Sequence, residues 1–263
     1  SILISLLFIA SALSREYKVI DVSTHNGNIN WAKVKAAGID GAIIRCGYGS
    51  DIKSQDDSKY LDNVKGCINN RIPFGVYLYS YAKTNDQARS EAKHVIRLVE
   101  PYKKYLKFPI YYDLEDASIR SVAVSNAKIF IKELEAKGYK VGIYANEYWF
   151  KTVIKSAFNG RPLWVAKYGV NDGYKHTPPQ ISGTYDMWQY SSKYRVSGIS
   201  GNVDISVCYR SIDDSSSTPS SPDEDINSKT VDQLAREVIA GVYGTGDERK
   251  RRLGKRYKEV QKR

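Results

Sequence analysis

Two acids stand two residues apart in "FPIYYDLEDAS" (residues 108–118), where Asp113 and Glu115 end an aromatic, β-rich run. On a β-strand, residues i and i+2 share a face about 6.6 Å apart along the chain, so the two carboxyls project the same way. A buried carboxylate costs several kcal/mol unless it is paired or hydrogen-bonded. The pair therefore marks either a strand end dipping into solvent or a site that tolerates the cost for chemistry. Crowded like charges raise at least one pKa, which keeps a carboxylic acid protonated near neutral pH. A protonated acid beside an ionised one is the equipment for glycoside hydrolysis. A D-x-E pair also arises by chance as idle rim charge, so its surroundings decide. Asp21 lies near the end of the strand-like "VIDVS" and Asp204 within "NVDIS". Tyr79, Tyr81, Tyr112, Trp164, Tyr168, Trp188 and Tyr190 fall near predicted strand ends, where ring faces could stack on the apolar C–H faces of sugars.

Four acids from three segments meet only if a fold brings the segments together, and the chain alternates accordingly. "YKVIDV", "GAIIRCGYG", "IPFGVYLYSYA", "LKFPIYYDLE" and "YKVGIYAN" read as strands. Between them "INWAKVKAAG", "DSKYLDNVKGCINN" (with an Asp cap), "TNDQARSEAKHVIRLVE" and "SVAVSNAKIFIKELEAKG" read as helices, with Gly38 and Gly138 as stops. "RPLWVAKY", "TYDMWQYSS" and "NVDISVCY" follow as strands with no helical period between them. The pattern predicts an α/β fold, an irregular TIM-like barrel of five βα units followed by three strands. A doubly wound open sheet is the alternative, but no glycine-rich phosphate loop follows the first strand. The catalytic residues of such a barrel lie at the C-terminal strand ends, and closure makes strands one and eight neighbours.

The 263 residues, 42% hydrophobic, suffice for one large domain and a small appendage. The expected division is a signal-peptide remnant over 1–14, a barrel over 15–211, a Ser/Pro/Asp-rich linker over 212–228 and a helical unit over 229–263. "SILISLLFIASALS" is too short to span a bilayer but fits a secretory h-region, with Ala10-Ser11-Ala12 as the cleavage site. It predicts a secreted protein without stable membrane insertion. In the last segment, Thr230 caps a helix whose Val231, Leu234, Val238 and Ile239 form one face. The basic run "ERKRRLGKRYK" follows on what should be one helix. From Lys229 onward there are eleven Lys or Arg against five Asp or Glu, so this stretch supplies +6 of the chain's net +11. That balance favours an acidic partner, whether nucleic acid, anionic lipid or wall polymer, or simply a solvated basic face. No nucleic-acid motif accompanies it. Cys46, Cys67 and Cys208 cannot all pair and read as buried small hydrophobes. His25, His94 and His176 are scattered without ligand spacing, so neither a protein-held metal nor a cofactor is expected.

The blocks "VIDVSTHNGNINWAKVKAAGIDGAIIRCGYG", "FGVYLYSYA", "PIYYDLED", "GYKVGIYAN", "LWVAKY" and "MWQYSS…GNVDIS", in that order over residues 17–210, resemble the glycoside hydrolase family 25 lysozymes. The resemblance implies an N-acetylmuramidase that cuts the β-1,4 bond from N-acetylmuramic acid to N-acetylglucosamine in bacterial peptidoglycan. It implies Glu115 as proton donor, Asp113 acting on the substrate's acetamido group or the forming cation, and Asp21 and Asp204 as the remaining acids of the cleft, with retention of configuration favoured. The segment from Thr230 is similar to the short wall-binding repeat of some phage lysins, which implies a wall anchor on a monomeric enzyme. Such repeats continue past "VQKR", so truncation at both ends is expected. The rival class is an inactive carbohydrate-binding barrel that uses the same cleft as a lectin.

Overall fold

The computed structural model describes residues 15–212, 226, 229–239, 243 and 246–262. The predicted signal-peptide remnant and residues 213–225 of the linker lie outside the described residues. Eight strands close a barrel in chain order: β1 (Tyr17–Val22), β2 (Gly41–Tyr48), β3 (Phe74–Tyr79), β4 (Leu106–Asp113), β5 (Val141–Asn146), β6 (Leu163–Ala166), β7 (Met187–Tyr194) and β8 (Val203–Cys208). After the first five come α1 (Trp31–Ala36), α2 (Tyr60–Asn69), α3 (Asn85–Val99), α4 (Ala123–Glu135) and the short α5 (Glu147–Trp149), which runs into a π-helical turn over Phe150–Ile154. This is the predicted pattern of five βα units and three further strands.

The local chemistry explains the ends. The side chains of Asn30 and Thr84 accept from Lys33 N (3.1 Å) and Gln87 N (3.2 Å), capping α1 and α3. Asp57 accepts from Lys59 N (2.9 Å) just ahead of α2.

The direction of β8 has a simple cause. Strands β1 to β7 run parallel, whereas β8 is antiparallel to both β7 and β1. Only residues 195–202 separate β7 from β8, too few for the crossover of a dozen or more that a parallel return needs, so the chain doubles back. The start of β8 therefore lies at the same rim as the C-terminal ends of the other strands, and Asp204 pairs directly with Asp21.

Strand alternation sorts the side chains into two shells. Ile20, Val22, Ile44, Val76, Leu78, Ile110, Ile143 and Val165 face the helices, packed with Val34, Val64, Val95 and Phe130. Tyr17, Val19, Ile43, Phe108, Tyr111, Tyr144, Trp164 and Met187 fill the inside. Pro109, which has no N–H to give a ladder, sits where the β3–β4 register slips, and the slip lets both Phe108 and Tyr111 turn inward. Glycines make room for them. A Cβ on Gly75 would lie 2.5 Å from Phe108 Cβ, and one on Gly142 would lie 2.7 Å from the Tyr111 ring. Ile212, assigned by sequence to the linker, belongs to this inner cluster and is 8% exposed, so the barrel runs one residue past its predicted end. All three cysteines are buried and unpaired.

The C-terminal unit holds α6 (Val231–Ile239), α7 (Gly246–Leu253) and α8 (Tyr257–Val260). Thr230 and Gln233 cap α6 reciprocally, side chain to backbone N–H in each direction, at 3.2 and 2.8 Å. Leu234 is fully buried, but Ile239 is 85% exposed because it lies about 80° around the helix from Val231, while Ala235 takes its place in the packing. The basic run is two helices, not the predicted one. Gly254, at φ +50°, ends α7 as a left-handed stop before α8 begins. Ile226, also in the predicted linker, is buried, and its carbonyl accepts from Arg256 Nη1 (2.8 Å). No helix among the described residues is long and apolar enough to cross a membrane.

Candidate active site

The barrel brings all four predicted acids to one mouth. Asp113 ends β4 opposite Tyr79 of β3 and Tyr144 of β5. The Leu114 amide donates to Tyr144 O (2.9 Å), which carries the ladder past the strand end and turns Glu115 to the same side as Asp113. Asp113 is 3% exposed, and its Oδ1 has no hydrogen-bond partner among the described residues. Burial pushes its pKa well above the ordinary carboxylate range, Glu115 and Asp21 push it further, and only Arg45 opposes them. Glu115 is open to solvent at the rim. Desolvation by the surrounding walls raises its pKa, with added push from Asp204 and Asp116. Asp21 is raised by burial and by Asp204, against a hydrogen bond from Gln189. Burial pushes Asp204 up to about 6.

Around the acids runs a polar network that sequence reasoning missed. Gln189 Oε1 accepts from both Tyr144 OH (2.7 Å) and Tyr168 OH (2.8 Å), which fixes its amide so that Nε2 donates to Asp21 Oδ2 (2.9 Å). Arg45 Nε donates to the buried Asp57 (2.8 Å), which holds its positive charge on the inner side of β2. Gln189→Leu would strip partners from two hydroxyls and a carboxylate together. It is expected to cost about 1–3 kcal/mol in urea denaturation, the usual penalty for orphaned buried polar groups.

The seven predicted aromatics divide by strand parity. Tyr79 and Tyr81 form a wall at the end of β3 with ring centroids 4.9 Å apart, and Tyr48 joins edge-on to Tyr81 at 6.2 Å. Burial and the nearby Glu115 and Asp113 raise the Tyr79 phenol. Tyr168 stands half-buried on the opposite side, beyond β6. Trp164 is 1% exposed and forms the floor. Its indole donates to Ser206 Oγ (3.0 Å) and its ring packs on Tyr144 at 4.4 Å, so it supports the acids instead of offering a free face. Tyr112, Trp188 and Tyr190 face outward. Tyr112 stacks on Phe130 at 3.8 Å and its hydroxyl binds buried Glu91, which in turn accepts from Tyr81 N (2.8 Å). Trp188 donates to Lys167 O (2.9 Å) and packs with Tyr190 in the outer core. Each of the three neighbours an inward residue, Asp113 or Gln189, and alternation turns it away. Among the described residues, no group of His, Cys, Asp and Glu is placed to hold a metal ion.

A solvent-accessible acid of raised pKa beside buried carboxyls, under a rim of tyrosines, is an arrangement suited to acid-catalysed cleavage of a glycosidic bond. Comparison with known proteins agrees. The chain belongs to glycosyl hydrolases family 25, whose model matches residues 20–199, and a CW_7 repeat model matches residues 232–263. It is 30% identical over 201 residues to lysozyme M1 of Streptomyces globisporus, covering 70% of this chain and 65% of that protein. It is 29% identical over 188 residues to an autolytic lysozyme of Clostridium acetobutylicum, covering 72% of this chain and 54% of the relative, so it spans about half that protein's length. Among solved structures, the catalytic domain of endolysin ply40 from bacteriophage P40 of Listeria monocytogenes superposes with a TM-score of 0.64 at 30% identity, covering 74% of this chain and 93% of that one.

Proposed function

We propose that this protein is a lysozyme that cleaves the β-1,4 bond between N-acetylmuramic acid and N-acetylglucosamine in peptidoglycan. Glu115 donates the proton to the departing glycosidic oxygen. Asp113, held beneath it, acts on the substrate's acetamido group or the forming cation, and Asp21 and Asp204 complete the cleft. The observation that carries the reading is the accessible Glu115, its pKa raised by its walls and by Asp204, two residues from a buried acid whose Oδ1 has no hydrogen-bond partner among the described residues. A barrel that only bound sugars would have no use for that cost. Mass spectrometry of digested peptidoglycan tests it. New reducing ends on muramic acid are the expected result, and new ends on glucosamine would refute the specificity.

The C-terminal unit is the wall anchor of the same enzyme, which works outside the cell or at the wall. Charge steers such a unit toward an anionic polymer, an effect that salt screens over about 10 Å at 0.1 M, and tethering keeps the barrel concentrated over its substrate. Deleting residues 213–263, which leaves Ile212 in its barrel seat, is expected to spare cleavage of a soluble muropeptide. Co-sedimentation with intact walls should weaken roughly tenfold or more at low salt. Equal wall binding by both proteins across a salt series would remove the anchoring role.

A further inference from the structure

Between the segments that follow β4 and β5, starting two residues after Glu115, lies an open groove of about 560 Å³ lined by Ala117, Ser118, Arg120, Ser121, Thr152 and Val153. One wall is the loop that begins directly after Glu115, and the other follows α5. The loop is held in a fixed shape. Asp116 accepts from Ser118 N (2.9 Å) and Ser118 Oγ (2.5 Å), and Ile119 is anchored at 1% exposure. Arg120 projects between the walls. Its guanidinium lies 5.2 Å from the centre of the Tyr148 ring, and Nη2 donates to Tyr148 OH (3.1 Å) and Thr152 Oγ1 (3.3 Å). Both partners are neutral oxygens, and no carboxylate among the described residues pairs with this arginine. The acids carried by the same two segments are engaged elsewhere: Asp116 with Ser118, and Glu147 with Lys151, Lys167 and Gln180 N. The positive charge is felt locally, since Arg120 draws the exposed Tyr148 phenol below its ordinary pKa.

A groove whose lining carries one guanidinium without a carboxylate partner among the described residues, and no acid, suits an anion. The planar fork favours a carboxylate, which it can grip through two parallel bonds. The groove's lining carries no aromatic ring on which a sugar could stack, whereas Tyr48 and Tyr81 stand exposed elsewhere on the rim.

We propose that this groove receives the carboxylate-bearing peptide attached to the glycan, so that Arg120 reads the substrate's acidic side chain while the acids act on the backbone sugar. The proposal rests on the lysozyme reading above and adds a determinant of specificity to it. A purely structural Arg120, tying the loop to α5, would instead affect every substrate alike.

The test compares kcat/KM of the full chain on soluble glycan oligomers that carry their peptides and on the same oligomers stripped of peptide by an amidase. The parent should favour the peptide-bearing oligomers by about tenfold, as one charge-assisted contact allows. Arg120→Gln should bring that ratio close to one, and amidating the peptide carboxylates should do the same for the parent. A parent without preference, or a variant that slows on both substrates at an unchanged ratio, overturns the proposal and leaves the lysozyme reading standing. Failure of the parent to cut either oligomer would sink both.

Discussion

Glu115→Gln is expected to lower turnover on peptidoglycan by at least about 10³-fold while leaving the protein folded. General acid catalysis alone contributes about 10²–10⁴, and Gln cannot supply the proton. The other three acids do not replace it: Asp21 and Asp113 are buried, and Asp204 is fixed on β8 opposite Asp21. Folding should survive because Glu115 stands at the open rim, beyond the end of β4. Its charge also raises the pKa of both Asp113 and Asp21, so its removal relieves repulsion. The variant should therefore melt no lower than the parent at neutral pH. Release of soluble reducing ends and a thermal melt, measured on the same preparation, check both halves. If the variant still cleared walls at a third of the parent rate, the proton would have to come from another residue.

The sequence was most legible where a rule of period or reach applied. Asp113 and Glu115 share a face because strands alternate, and Asp21 meets Asp204 because closing the barrel pairs β1 with β8. Hydrophobic alternation and glycine stops outlined the five βα units. What sequence left ambiguous was absolute parity. In "MWQYSS" nothing local says whether Trp188 or Gln189 points inward, and the large aromatic was the natural guess for a sugar platform. Only the register with β6 and β8 turns Gln189 to the acids and Trp188 to the outer core. Tyr112 is the same case, since an inward Asp113 already implies an outward Tyr112, and it serves Glu91 instead of substrate. Arg45 carried no motif at all. Its importance comes from Asp57, twelve residues away in sequence, which holds it in place. At Ile212, composition marked the start of a linker, but one isoleucine finding a place in the inner core outweighs the polar residues that follow it.

Asp113→Asn is expected to reduce activity by about 10²–10³, the usual cost of removing one preorganised group that stabilises developing charge, and at the same time to make the protein more stable at neutral pH. The two effects have one cause. The Asp113 carboxyl is buried, its Oδ1 without a partner among the described residues, and burial, Glu115 and Asp21 together raise its pKa well above its unfolded value. Between those two pKa values the native state binds a proton that the unfolded state has lost, so stability falls as pH rises through the window and the penalty is complete above the folded pKa. Asn carries no charge at any pH and escapes this loss. The gain of the variant over the parent should therefore be close to zero at about pH 3, where both side chains are neutral, and grow as pH rises. At pH 8 it should reach about 1–3 kcal/mol, the scale of an unsatisfied buried polar group. Urea denaturation of both proteins across pH 3–8 measures it. A variant less stable than the parent at pH 8 would mean that the ionised carboxylate is compensated in the native protein, and Asp113 would then be a structural anchor instead of a group held in strain for chemistry.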